Sequence, residues 1–371
     1  MQSNGGFGRF LTPQELKQLY GHHDKVRGRL PSWRAAFCMD DVIEFDRTSA
    51  DFLGDNAARL IEANNEGRAW LQAQKHRFLP GAKHSEVASA MAELRCYGAL
   101  LEAGYEVTPL LTTTVPTPDF KVVNAGETFF IEVASKQEAG AETALSKKIA
   151  EGKTPPGVTR DISEKNGLRL ESIISTHHPF GAPDPSKKHD SVQANAISKL
   201  CAVKGTEAQA NEATTLLWID LRDLSQMGSV VSRKHFDPII AGGRDGQLTS
   251  GCVWYSFYGW KGAPIFEESF GHRDNIVSMG HEGRFRNSAS PSKFSGAMVC
   301  VDGATAFFEN PDAHHKLPDA ARLRLHGLPE FDIGASVASW DKDGALEKVS
   351  LQTRMIRACA VAPSRPAAGH Y

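Results

Sequence analysis

Six cysteines in 371 residues (Cys38, Cys96, Cys201, Cys252, Cys300, Cys359) stand far apart, with no CxxC pair among them. Such spacing predicts buried thiols in a reducing cytoplasm and argues against zinc ligands or a disulfide frame. No apolar run reaches the ~18 residues that a membrane span needs. Met1–Phe10 is polar and glycine-rich and lacks a signal-peptide core. Charge of one sign is missing too, since 42 Lys and Arg stand against 44 Asp and Glu, a net charge of −2. A dedicated basic nucleic-acid binder is therefore not implied, and any such contact must come from local patches. The chain holds no P-loop, no dinucleotide-binding glycine motif in strand context, no nucleophile elbow and no internal repeat. Without a P-loop, an ATP-driven step would need a partner protein. The 41% hydrophobic and 23% charged content is that of an ordinary soluble globular chain, long enough for two or three units.

The most informative stretch runs from Ser85 to Gln137. Val87, Ala90, Met91, Leu94, Tyr97 and Leu101 recur at helical spacing, with Ser85 as N-cap and Gly104 as the stop. Tyr105–Thr108 alternates as a half-buried strand does. Phe120–Val123 reads as a second strand, ended by the turn Asn124-Ala125-Gly126-Glu127. Thr128–Ala134 is the most apolar of the three and is expected at the centre of a sheet. Period two places Glu132, Ala134 and Lys136 on one face, and the hairpin brings Asp119 and Glu132 onto its two arms. Two carboxylates so placed repel unless a cation joins them. Mg²⁺ suits them, because it takes hard oxygens and keeps waters and phosphate oxygens in its shell. A nearby lysine would stabilise charge that develops on a phosphoryl group.

Pro118-Asp119, Glu132 and the helix-borne Glu93 together resemble the PD-(D/E)XK nuclease superfamily, the fold of restriction endonucleases and Holliday-junction resolvases. The resemblance covers roughly residues 85–222, since a helix near Asp190–Val203 and an apolar strand, Thr215–Leu221, follow in the family's order. It implies an α/β fold with a restriction-endonuclease-like mixed central sheet flanked by helices. It also implies a Mg²⁺ cofactor, replaceable by Mn²⁺, held by Asp119, Glu132 and the Val133 carbonyl, with Glu93 on a second metal or a water. The family's lysine position holds Ala134, and Lys136, two residues on and on the same face, is the expected substitute. Gln193 is a weaker candidate from the next helix, and Lys199 is a reserve for the lysine.

The remaining chain is read around this unit. Residues 1–80 are expected to be helical, with Thr12 capping a helix that has Pro13 at N1, and a second helical region from Thr48 to Gln74 broken near Gly54. Residues 81–225 would form the nuclease-like core, interrupted by a polar insertion at 138–190. That insertion is read as a helix over Ala139–Ala150 and Pro/Gly-rich loops. Residues 226–371 are expected to be a β-rich extension with a mobile tail. In it Val253–Tyr258 and Ile265–Glu268 pair as a hairpin, and Ala297–Val301 and Ala304–Phe308 pair around Asp302-Gly303. Lys187 and Lys188 before the helix, and Arg284 and Arg286 in the segment 271–293, are candidates to grip a phosphate backbone.

The expectation is a cytoplasmic, Mg²⁺-dependent endonuclease with nucleic acid as partner, DNA before RNA, and no membrane contact. A protein partner or homo-oligomer stays open. Fold-level analogy points to defence against foreign DNA. Ala134 keeps a second reading open, a catalytically inactive member that binds nucleic acid or protein as a subunit of a larger assembly.

Overall fold

A computed structural model describes residues 11–15, 17–18, 52–79, 84–110, 116–136, 158–165, 168–175, 184, 186–187, 190–204, 207, 210, 213–222, 231–242, 247–267, 276–336, 344–351 and 354. The helices are α1 (Phe52–Ala63), α2 (Asn65–Gln74), α3 (His84–Glu102), α4 (Val192–Cys201), α5 (Cys252–Tyr258) and α6 (Asp319–Arg324). The strands are β1 (Glu106–Pro109), β2 (Phe120–Asn124), β3 (Glu127–Ser135), β4 (Val158–Lys165), β5 (Leu168–Ser175), β6 (Thr215–Asp220), β7 (Ile239–Gly242), β8 (Gln247–Ser250), β9 (Pro264–Phe266), β10 (Ile276–Ser278), β11 (Gly296–Val301) and β12 (Ala304–Glu309).

One mixed sheet of six strands, in the order β1-β2-β3-β6-β11-β12, organises the chain. β1, β2 and β3 form an antiparallel meander. Its second turn places Ala125 and Gly126 at φ 52° and 84°, the paired left-handed conformations that suit a two-residue hairpin. β6 runs parallel to β3, β11 runs parallel to β6, and β12 returns antiparallel around Asp302-Gly303. All six residues of β6, β11 and β12 are buried. That explains why their apolar residues do not alternate, because a strand covered on both faces has no polar face.

Helices cover both faces. Phe129, Ile131, Val133, Leu216 and Trp218 point to one side, where they meet Met91, Leu94 and Tyr97 of α3. Ala134, Leu217, Ile219 and Val299 point to the other, against Ile197 and Leu200 of α4 and Trp254 and Phe257 of α5. Burial of a side chain such as Leu94 or Phe129 contributes roughly 1.5–3 kcal/mol each. α1 crosses α3 at close range: a Cβ at Gly98 would stand 2.3 Å from the Ala57 Cβ. α3 ends at Gly104, with φ 81°, where the Gly104 and Tyr105 N–H groups take the Leu101 and Leu100 carbonyls.

Several expectations need correction. The break in the second helical region falls at Asn64, whose side chain caps α2 by accepting from Glu66 and Gly67 N–H, and not at Gly54, which lies inside α1. The helix expected near Asp190–Val203 runs from Val192 to Cys201 and is capped by Ser191. The 138–190 insertion contains the antiparallel β4–β5 hairpin, paired from Val158↔Ser175 to Lys165↔Leu168. The helix expected over 139–150 and the C-terminal tail lie outside the described residues. Val253–Tyr258 is not a strand but part of α5, all seven of whose residues are buried. A short run buried on every side has no period, so its aromatic content favoured a strand until packing against α4 decided otherwise. β9 pairs with β10 instead. The boundary drawn at 225 does not divide the sheet, because β11 and β12 complete it.

Candidate active site

β3 is longer than its neighbour β2. The ladder pairs Phe120 with Ile131, and beyond that point β3 continues along β6 alone. Asp119 stands at this fork. Its N–H bonds the Ile131 carbonyl at 3.0 Å, while its own carbonyl accepts from Leu110 N–H at 2.9 Å on the opposite side. The main chain thus bends out of the ladder and leaves the Val133 N–H without a strand partner. The Asp119 carboxylate supplies one, with Oδ2 accepting from Val133 N at 2.7 Å.

Glu132 lies opposite Asp119 and is 2% exposed. Its Oε1 is 2.6 Å from Lys204 Nζ, and its Oε2 is buried with no hydrogen-bond partner among the described residues. Glu93, on α3, is held by Arg77, whose Nη1 and Nη2 donate to Oε2 and Oε1 at 2.6 and 2.7 Å. Electrostatics tie these groups together. Burial pushes the Asp119 carboxyl up to about 7, and the Glu132 and Glu93 charges add to it, against the Val133 N–H and Lys204. Burial also raises Glu132, partly offset by Lys204. Lys204 sits above its usual value, because its bond to Glu132 and the charges of Glu132, Asp119 and Glu93 outweigh its burial.

The chain matches no known family, no curated protein and no solved structure.

The fork therefore brings together Asp119, Glu132 and, at longer range, Glu93. It does not bring Lys136. Burial lowers the Lys136 ammonium, and the neighbouring charge that acts on it is Lys199, not a carboxylate. Lys199 itself is exposed on α4. Ala134 is buried against the α4 face of the sheet. Val133 turns its side chain into the core and its N–H to Asp119. Both Glu93 oxygens accept from Arg77, so the expected metal contact of Glu93 would require Arg77 to release it. Gln193 donates its N–H to Glu267 at the start of α4, and its Oε1 is buried without a partner among the described residues.

The expected phosphate-gripping residues are dispersed. Arg284 is buried in an ion pair with Glu207 at 2.7 Å, which removes it from any surface role. Arg286 lies over the Trp260 ring at 5.6 Å. Lys187 is exposed and pairs with Asp184 at 3.4 Å, and Lys188 lies outside the described residues.

Lys204 and Arg77 were not anticipated. Lys204 follows α4 in the segment Val203-Lys204-Gly205, and Arg77 sits in a short basic run. Neither has a local pattern that marks it, because each is joined to the acids only by tertiary packing. Asp220 faces away from the fork, into the α3 side. There Arg222 forks onto it at 2.5 Å and Arg95 approaches to 3.8 Å. Its burial would raise it, but the Arg222 and Arg95 charges hold it below the ordinary carboxylate value.

The donor set suits a hard cation. A buried Glu132 oxygen with no hydrogen-bond partner among the described residues shares the fork with the Asp119 carboxyl, and both acids are pushed up chiefly by burial. Among the described residues no group of three His, Cys, Asp or Glu side chains is placed to hold a metal. A cation here would therefore rest on two carboxylates, with the balance from main-chain oxygen and water, which is the coordination Mg²⁺ tolerates best. No described helix is long and apolar enough to cross a membrane.

Proposed function

We propose that this chain is a divalent-cation-dependent phosphodiesterase of the PD-(D/E)XK type, acting on DNA in preference to RNA. The observation that carries the proposal is the fork: Asp119 beside Glu132, with Lys204 2.6 Å from one Glu132 oxygen and the other oxygen without a partner among the described residues. The element order of α3, three antiparallel strands, α4 and a parallel β6 supports the same reading. Asp119 and Glu132 would hold the cation. The Val133 carbonyl joins them, since both main-chain groups of a strand residue leave by the same edge and its N–H already faces Asp119. Bound there, Mg²⁺ would supply Lewis-acid polarisation of a phosphoryl oxygen.

The chain's own residues do the rest. Lys204 places a fixed ammonium beside the carboxylates, where negative charge builds as a phosphodiester is attacked. The Glu132 bond fixes that ammonium in place. Arg77 pairs with Glu93 and so offsets part of the negative charge at the fork. Asp119, which titrates at about 7, must lose its proton to serve as a ligand.

The test is Mg²⁺-dependent cleavage of duplex DNA, single-stranded DNA and RNA by the pure chain, beside Asp119→Ala. Cleavage by the parent that is lost in the variant supports the proposal. No cleavage of any substrate, together with no Mg²⁺ binding by calorimetry, overturns it.

A further inference from the structure

Lys204 owes its place to a residue on a distant part of the chain. It has φ 51°, in the left-handed region that a non-glycine residue adopts only at a cost, and Glu207 close by has φ 44°. The carbonyls of Cys201, Val203 and Lys204, at the end of α4, have no further helical turn to accept from. Arg284 meets all three. Its Nη1 donates to the Cys201 carbonyl at 3.3 Å and to that of Val203, and its Nη2 donates to the Lys204 carbonyl at 2.9 Å. Arg284 is 6% exposed, and its guanidinium carbon lies 5.2 Å from the Phe294 ring centroid. Its charge is met by Glu207 Oε1, which accepts from Nε at 2.9 Å and from Nη2 at 2.7 Å. Glu207 is anchored in turn by Ser292 Oγ at 2.8 Å and the Lys293 N–H at 2.5 Å.

We propose that Arg284, with Glu207, is a positioning residue that holds the Lys204 backbone in its left-handed conformation and so delivers the ammonium to Glu132. The planar fork of arginine suits this task, because several donors in fixed directions can reach carbonyls that diverge from a helix end. A lysine at 284 has one ammonium and cannot span them. A purely structural cap would satisfy the helix end without requiring two left-handed non-glycine residues, and this strain is concentrated at the residue that reaches the site. The catalytic consequence rests on the nuclease reading above, but the positioning itself does not.

The experiment reads Lys204 directly. Reductive ¹³C-methylation labels lysine ammonium groups, and the Lys204 resonance is assigned by its loss in Lys204→Arg. At one fixed neutral pH, a Lys204 ammonium held on the buried Glu132 should give a resonance displaced from those of the exposed lysines. In Arg284→Gln, with a far-ultraviolet spectrum like the parent's, it should move to the position of the exposed lysines. Glu207→Gln is the second variant, should Arg284→Gln fail to fold, and is expected to shift the resonance in the same direction. A Lys204 resonance unmoved in a folded variant overturns the proposal, whatever the enzyme cleaves. Where the parent cleaves, Arg284→Gln should slow it about as much as Lys204→Ala does, and the double variant no further. Additive losses would mean that Arg284 acts by another route. A parent that never cleaves sinks the nuclease reading but leaves the resonance test standing.

Discussion

Lys204 Nζ lies 2.6 Å from Glu132 Oε1, although no regular element joins the two residues and Lys136 sits much nearer Glu132 in sequence. This pairing decides which lysine serves the fork. Lys204→Ala should lower Mg²⁺-dependent cleavage by ~10²-fold or more, comparable to the loss of one preorganised transition-state donor. Lys136→Ala should cut at close to the parent rate, since the charge that acts on Lys136 is Lys199. Single-turnover rates on a labelled duplex measure both. The reverse ranking would return the role to Lys136.

Asp119 makes the fork costly to fold. Its native value of about 7 stands above the ordinary 3.8, so the folded chain keeps a proton that the unfolded chain gives up between these values. Stability attributable to this group is therefore full below pH 4, falls as pH rises through the window, and is lowest above about 7. Asp119→Asn, which still offers an oxygen to Val133 N–H, should raise the melting temperature most at pH 8, less at pH 5 and little below pH 4. Added Mg²⁺ should raise the parent's melting temperature at pH 8 and leave the variant's nearly unmoved. A variant less stable than the parent at pH 8 would contradict this account of the site.

On the opposite face of the sheet, Asp220 holds two buried arginines. Asp220→Asn removes the carboxylate that Arg222 and Arg95 share, so urea denaturation at neutral pH should show a loss of up to about 3–5 kcal/mol. Because Asp220 is held below its ordinary value, its contribution is present above that value and is lost as pH falls through the native one. The gap between parent and variant should thus narrow in acid. A difference near zero at pH 7 would show that solvent reaches the arginines.

What could be read from the sequence divides along physical lines. α3, the β1–β2–β3 meander, β6 and the β11–β12 hairpin were legible because each carries its own period, cap or turn residues. Asp119 and Glu132 were legible as neighbours for the same reason, since a tight hairpin at Ala125-Gly126 sets the pairing Phe120↔Ile131 beside them. α5 was not, because a fully buried run such as Cys252–Tyr258 shows no face. Lys204 was not either, since its pairing depends on where α4 ends against the sheet. Arg284 carried a misleading cue: a basic residue between Gly283 and Phe285 suggests a phosphate grip, whereas the fold buries it against Glu207. Local patterns do not encode such a long-range ion pair.

Glu93 offers the sharpest discrimination between two roles. As a metal ligand it would bind the cation directly, and Glu93→Gln would then cost at least the roughly 10–100-fold in Mg²⁺ affinity seen even for outer-shell partners. The structure instead commits both its oxygens to Arg77, at 2.6 and 2.7 Å, and leaves it acting on Asp119 through charge. Glu93 raises Asp119, so removing its negative charge should lower the Asp119 value. Arg77, no longer neutralised, should lower it further. The acidic limb of the pH–rate profile should therefore move to lower pH in Glu93→Gln, with Mg²⁺ affinity at pH 8 close to that of the parent. Glutamine can still accept from Arg77, which keeps α3 in place and separates the loss of charge from a loss of packing. Profiles of kcat/KM between pH 5 and 9, with Mg²⁺ titrations at the upper end, provide the measurement. A collapse of Mg²⁺ affinity with an unmoved limb would make Glu93 a ligand, and would require Arg77 to release it when the cation binds.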